Sequence, residues 1–186
     1  MPRVLALLLA LAALPAATEE CYMVHAAAGR VGFELKQAGS PFRGVFRRFG
    51  GEFCMTQGKV ERIDVWLEPA SVNTGLPEVD AALREKEFFA VGEYPRVTFA
   101  SRSVEARGDT QRARGTLQIK GRQREVDVVF RLREAGGEPV VSGSLPLNRL
   151  EYGIGTGEWS DTKWLGAEVR VDFSATLARP LRSPAK

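Results

Sequence analysis

The chain is poor in the residues that do catalysis. A single histidine, His25, occurs in 186 residues. That excludes HxH and HExxH zinc sites, and it leaves no placed base for a serine or cysteine nucleophile. His25 itself is read as an ordinary surface or packed residue. Cysteine is nearly as scarce, with only Cys21 and Cys54, too far apart for a CxxC redox motif. Beyond residue 17 no apolar run approaches the ~20 residues that span a bilayer. Neither charge sign dominates: 26 Lys and Arg face 23 Asp and Glu, which gives no warrant for nucleic-acid binding. The alternating glycines of Gly153-Ile154-Gly155-Thr156-Gly157 lack both the lysine of a phosphate loop and a following helix, so a hairpin or bulge loop is expected there. Glu151 and Glu158 share that loop without further signature. No catalytic residue and no metal ligand is assigned, and the chain is not expected to be an enzyme.

The two ends stand apart from the rest. Arg3, the apolar run Val4 to Leu14 and the small residues of Pro15-Ala16-Ala17 form a secretory signal peptide over residues 1–17, too short to be a spanning helix. One barrel-sized domain is expected over residues 18–180, followed by a short disordered tail at 181–186. Export makes a disulfide chemically permissible, and Cys21 with Cys54 is the only pair available. Such a bridge closes a loop of about 33 residues and contributes roughly 3–4 kcal/mol. Lipidation of Cys21 is rejected because Thr18-Glu19-Glu20 puts charge where a lipobox needs small apolar residues. The arginines at 43, 47, 48, 122 and 124 are interspersed with apolar or acidic residues and read as solvated exterior side chains.

What the chain has in abundance is alternation. From Leu165 to Leu177 the odd positions Leu165, Ala167, Val169, Val171, Phe173, Ala175 and Leu177 are apolar, and the even ones polar or small. Period two over that length makes a strand with one face in the core. Val126, Val128, Phe130 and Leu132 repeat the pattern, as do Val31, Phe33, Leu35 and Ile63, Val65, Leu67. Turn signals separate these runs at Gly29-Arg30, Gly50-Gly51, Gln57-Gly58, Gly108-Asp109, Lys120-Gly121 and Gly136-Gly137. About eight strands result, with an antiparallel meander in the C-terminal half. Alternation alone fits a two-layer sandwich as well as a closed barrel.

One segment breaks the pattern. Between Ser71 and Ser101 the chain shows its one convincing helix signal: Pro77 suits a first turn, Glu78 and Asp80 lie at the front, and Arg84 and Lys86 at the back. Phe88 and Phe89 follow as an apolar plug, with Gly92 as the stop. A short helix with a diphenylalanine end, set among strands, predicts a lid on a barrel.

These residues also carry a resemblance. Ser71-Val72-Asn73-Thr74-Gly75, Asp80, Leu83-Arg84, Phe88-Phe89, Tyr94-Pro95 and Thr98-Phe99 are similar to the YceI-like family. Gly115-x-Leu117-x-Ile119-Lys120-Gly121 continues the pattern, followed by Leu147-Asn148-Arg149-x-x-Tyr152-Gly153-Ile154-Gly155 and Gly166-x-Glu168-Val169-x-Val171. The resemblance spans roughly residues 22–178. It implies an eight-stranded antiparallel lipocalin-like β-barrel with one short helix near its mouth, and a polyisoprenoid guest. It thereby favours barrel over sandwich. The apolar cavity expected on this basis is lined by Phe33, Leu35, Val65, Leu67, Phe88, Phe89, Phe99, Leu117, Phe130, Val171 and Phe173. Asn148, Arg149 and Tyr152 are polar mouth candidates, although capping and turn hydrogen bonding account for them as well. Trp159 and Trp164 read as loop anchors or ligand stackers. The family pattern also places a histidine after the second strand, where this chain has Lys36-Gln37-Ala38-Gly39-Ser40-Pro41-Phe42; no role tied to that histidine carries over.

The function expected is a periplasmic carrier of an isoprenoid lipid such as a prenyl quinone, with no other cofactor. Transient contact with the membrane or with a membrane redox protein is expected, as a monomer or homodimer. The alternative is an envelope-stress or redox-partner interaction protein whose barrel is filled by its own side chains.

Overall fold

The computed structural model describes residues 18–179. The signal-peptide segment 1–17 and the tail 181–186 lie outside the described residues. Ten strands run through the described residues. They are β1 Glu19–Gln37, β2 Ser40–Phe46, β3 Phe49–Thr56, β4 Lys59–Leu67, β5 Val72–Asn73, β6 Val97–Arg107, β7 Thr110–Ile119, β8 Arg122–Ala135, β9 Glu138–Asn148 and β10 Glu168–Ala178. One α-helix, α1 Pro77–Arg84, lies between β5 and β6.

The ring closes. In order around it run β1, β3, β4, β6, β7, β8, β9 and β10, and β10 pairs back onto β1, every contact antiparallel. That is the expected eight-stranded barrel. The extra strands arise because the second wall strand is bent: β2 pairs with the end of β1, the chain turns at Arg47-Arg48, and β3 pairs with its start. β5 adds two residues to the outer edge of β2.

Turn chemistry explains the hairpins. Ala38-Gly39, Gln57-Gly58, Lys120-Gly121 and Gly136-Gly137 all hold positive φ at both residues, the two-residue type I′ geometry whose twist matches the flanking strands. Gly108-Asp109 has positive φ at its glycine, as a type II′ loop requires. Two expected turns are not turns. Gly29-Arg30 lies inside β1 and Gly50-Gly51 inside β3. Gly51 is there for close approach: a Cβ would stand 2.2 Å from the Asp64 carbonyl oxygen on β4.

The helix is also shorter than expected. α1 stops at Arg84, not near Gly92, because Glu85 is already extended at ψ 173°. The chain then turns through Ala90 at φ +48°, which brings both phenylalanines under the barrel rim. Phe89 meets Phe46 edge-on at 5.7 Å, and Phe88 stacks obliquely on Trp159 at 5.6 Å. α1 has no side-chain N-cap. Asp80 instead accepts from the Thr74 amide at 2.8 Å and its hydroxyl at 2.7 Å. Ser71 Oγ accepts from the amides of Arg47 and Arg48, so these motif residues hold the connection together.

Two long connections, residues 68–96 and 149–167, fold over the same end of the barrel. The opposite end carries the disulfide. Cys21 and Cys54 are directly opposed on β1 and β3 and are bridged at 2.02 Å.

Candidate functional site

Residues of the strands and of the two long connections line two apolar chambers of about 160 Å³ each. The lower one is built wholly from strands, with Phe49, Phe53, Val65, Phe99, Phe130 and Phe173 among its walls. Aromatic rings fit there because a glycine sits between them. Gly143 lies opposite both Phe130 and Phe173, and a Cβ at that position would meet the Phe173 ring at 2.6 Å. The upper chamber has Phe33, Leu35, Phe42 and Phe46 from strands, and Phe88, Phe89, Tyr152, Ile154 and Leu165 from the two connections. Five residues line both chambers and form a waist between them: Leu67, Val97, Leu117, Leu145 and Val171.

Among the described residues Arg149 is the only charged one lining either chamber, and it is 3% exposed. Its Nε donates to the Gly166 carbonyl, Nη1 to those of Ile154 and Gly155, and Nη2 to those of Trp159 and Leu165. All five guanidinium N–H groups are thereby consumed, at 2.6 to 2.9 Å. Burial pushes its pKa down, but arginine remains charged in proteins. The carbonyl dipoles stand in for an absent carboxylate. The loop predicted as a hairpin or bulge is therefore a wrap of main chain around one cation. Gly155 is required inside it, since a Cβ there would clash with Nη1 at 2.4 Å.

The plug is fastened to that wrap. The Glu87 carbonyl accepts from the amides of Gly155 and Thr156 at 2.8 and 3.2 Å. Lys120 Nζ, on the β7–β8 turn, donates to the Lys86 carbonyl at 2.6 Å and the Gly153 carbonyl at 2.8 Å. Burial first, and Arg122 second, pull the Lys120 pKa down. Outside this latch lies a polar cleft edged by Lys86, Glu93, Tyr94 and Arg122.

All eleven apolar residues singled out from the sequence line one chamber or both. Of the polar mouth candidates, Arg149 and Tyr152 line the upper chamber, whereas Asn148 caps the following 3-10 turn by accepting from the Leu150 amide. Tyr152 is 2% exposed, and burial followed by the Glu151 charge raises its pKa. Trp159 packs on Phe88, while Trp164 is 54% exposed. Sequence reasoning passed over Phe42 and Phe46 of β2 and Leu145 and Leu147 of β9, although each pair alternates at period two. Ile154 and Leu165 carry no such signal, being placed by loops. Glu19, Cys21 and Cys54 lie close enough to share an ion, but the two sulfurs are bonded to each other.

The family model of the YceI-like domain matches residues 22–177. The chain belongs to the YceI-like family. Protein YceI of Salmonella arizonae is 31% identical over 112 residues, which are 59% of each chain; this chain thus spans under two thirds of that relative's length. Among solved structures, Burkholderia cenocepacia BcnA is 28% identical with a TM-score of 0.78, over 82% of this chain and 98% of that one. A polyisoprenoid binding domain from Saccharophagus degradans, implicated in plant cell wall breakdown, is 18% identical with a TM-score of 0.70, over 86% and 98%. At that identity the likeness concerns the fold. A Campylobacter jejuni YceI protein shares the fold as well, at 20% identity, a TM-score of 0.67 and coverage of 77% and 87%. In YceI-like terms, the downstream motif Asn148-Arg149-x-x-Tyr152-Gly153-Ile154-Gly155 is the cation and the main chain wrapped around it.

Proposed function

We propose that this YceI-like domain is a non-catalytic carrier that holds the chain of an isoprenoid lipid, such as a prenyl quinone, in the periplasm. One observation carries the reading: two apolar chambers meet at a shared waist inside a closed barrel, and the only charge on their walls has no donor left to give. A guest there is held by apolar contact, not by recognition of a charged group. The polyisoprenoid-binding relative supports the choice of guest. The Cys21–Cys54 bridge supports an oxidising compartment, in line with the signal-like residues 1–17.

Magnitudes set the mode of action. Removing about a dozen methylene equivalents from water contributes on the order of 10 kcal/mol gross, and association costs offset much of it. A tail leaving a bilayer is already out of water, so the net gain is far smaller. Such a protein exchanges lipid with a membrane in transient contacts.

Volume favours the rival reading to a degree. Each chamber is close to the ~150 Å³ at which an apolar protein cavity takes one benzene-sized guest. A prenyl chain therefore requires the waist to part, whereas an interaction protein with a nearly filled barrel requires no such movement. Native mass spectrometry with organic extraction, on protein purified from its own periplasm, separates the two. A stoichiometric prenyl compound supports the carrier. An apo mass that persists after incubation with prenyl-quinone liposomes sinks it and moves the search to protein partners.

A further inference from the structure

The barrel wall beside the lower chamber has a stretch without ladder pairs. β1 pairs with β3 through Glu19–Met23 and with β2 through Val31–Gln37. Residues 24–30 of β1 have no partner on that side, and residues 47–51 at the β2–β3 bend have none on β1. On its other side β1 stays with β10 but skips. His25 faces Thr176 and Gly29 faces Ala175, so Ala26, Ala27 and Ala28 are left out of the ladder as a bulge, with Ala27 and Ala28 exposed and Ala26 still packed against the core. Val24, Val31, Phe49 and Gly50 border this stretch, and all four line the lower chamber. One ring fills it: Phe49 Cζ lies 3.1 Å from where a Cβ on Gly29 would stand.

We propose that this unpaired stretch is the side passage through which an apolar tail enters and leaves the barrel, with the Phe49 ring as its closure. The proposal rests on the lipid-binding reading and adds the route. The alternative routes are better fastened. Lifting the plug at the upper end breaks the Glu87 carbonyl bonds to Gly155 and Thr156 and both Lys120 bonds. The lower end is shut by the disulfide and by buried Tyr22, Val60 and Leu177. Turning Phe49 aside breaks no hydrogen bond, because its side chain makes none. Exposed Arg30 and Arg47 flank the stretch, and neither forms an ion pair among the described residues. They offer donors to a head group bearing acceptor oxygens left outside the wall.

Stopped-flow uptake and release of a dansyl-labelled farnesyl probe tests this on the full-length mature chain. Phe49→Ala is expected to speed both processes about fivefold, and Phe49→Leu about twofold, since removing a closure raises both rates. Lys120→Met, which loosens the plug, is expected to leave them unchanged. Should Phe49→Ala not fold, Phe49→Leu decides. Wild-type rates in the Phe49 variants, or acceleration by Lys120→Met alone, overturn the side passage while leaving lipid binding standing. A wild-type protein that takes up no probe overturns both.

Discussion

The two chambers have the same volume and different construction. The lower is a product of strand periodicity: its walls are inward residues of paired strands, and a disulfide ties its floor. The upper is finished by two loops, and one buried cation with five carbonyl partners holds the second of them in place. Many small contacts, each replaceable, maintain the first. The second hangs on one side chain. A fold can thus enclose space cheaply with repetition, but fitting a lid to it demands a specific polar centre.

The largest expected effect breaks the upper chamber alone. Arg149→Met strands five carbonyls, and the expected loss is about 4 kcal/mol by urea denaturation. Amide exchange should rise over residues 149–167 well before it rises in β7 and β8; uniform loss of protection would show that the two chambers are one cooperative unit. Next comes the lower floor. The double variant Cys21→Ser, Cys54→Ser should cost about 3 kcal/mol, with exchange rising first at the β1–β3 ladder. Equal sensitivity of the upper loops to this change would erase the distinction.

How far each region can be read from sequence follows the same divide. β8 and β10 are legible because every second residue from Val126 to Leu132 and from Leu165 to Leu177 is apolar, with exposed Val129 the one apolar residue on the outer face of the first run. Four turns are legible because each places a glycine at a site of positive φ: Gly58, Gly108, Gly121 and the pair Gly136-Gly137. Gly29 and Gly50 misled, since a glycine that admits a neighbouring ring looks the same in sequence as one that turns the chain; Gly50 faces Trp66, whose ring a Cβ would meet at 2.9 Å. The plug phenylalanines are visible as a pair, but taking Gly92 as the stop makes the helix before them too long, because α1 ends at an extended Glu85 and not at a glycine. The role of Arg149 was out of reach. Five carbonyls converge on it from residues up to 17 positions away, and carbonyls have no signature in a sequence.

Two smaller changes sharpen the contrast. Lys120→Met removes two hydrogen bonds from the latch, one of them part-buried, and should cost about 1 kcal/mol, with faster exchange at Gly155 and Thr156 and none at β3. Tyr152 gives the smallest effect, in alkali. Burial raises its folded-state pKa, so its contribution is complete below the unfolded value of about 10 and is lost as pH rises through the folded one. Stability of wild type should therefore fall faster above pH ~10 than that of Tyr152→Phe. Parallel curves would mean that the phenol ionises freely in the folded protein.

β1 belongs to three ladders at once, and its pairing with β10 joins Met23 to Ala178. A chain delivered N-terminus first, from a ribosome or through a translocation channel, cannot complete its circle until its last strand has arrived. Contacts of such long sequence separation are slow to form, and until then two strand edges stand open to pairing with other chains. The Cys21–Cys54 link spans only 33 positions and can be made early. It would join the first strand to its first long-range neighbour while the rest of the chain is still in transit, leaving fewer loose edges in the crowded interval before closure.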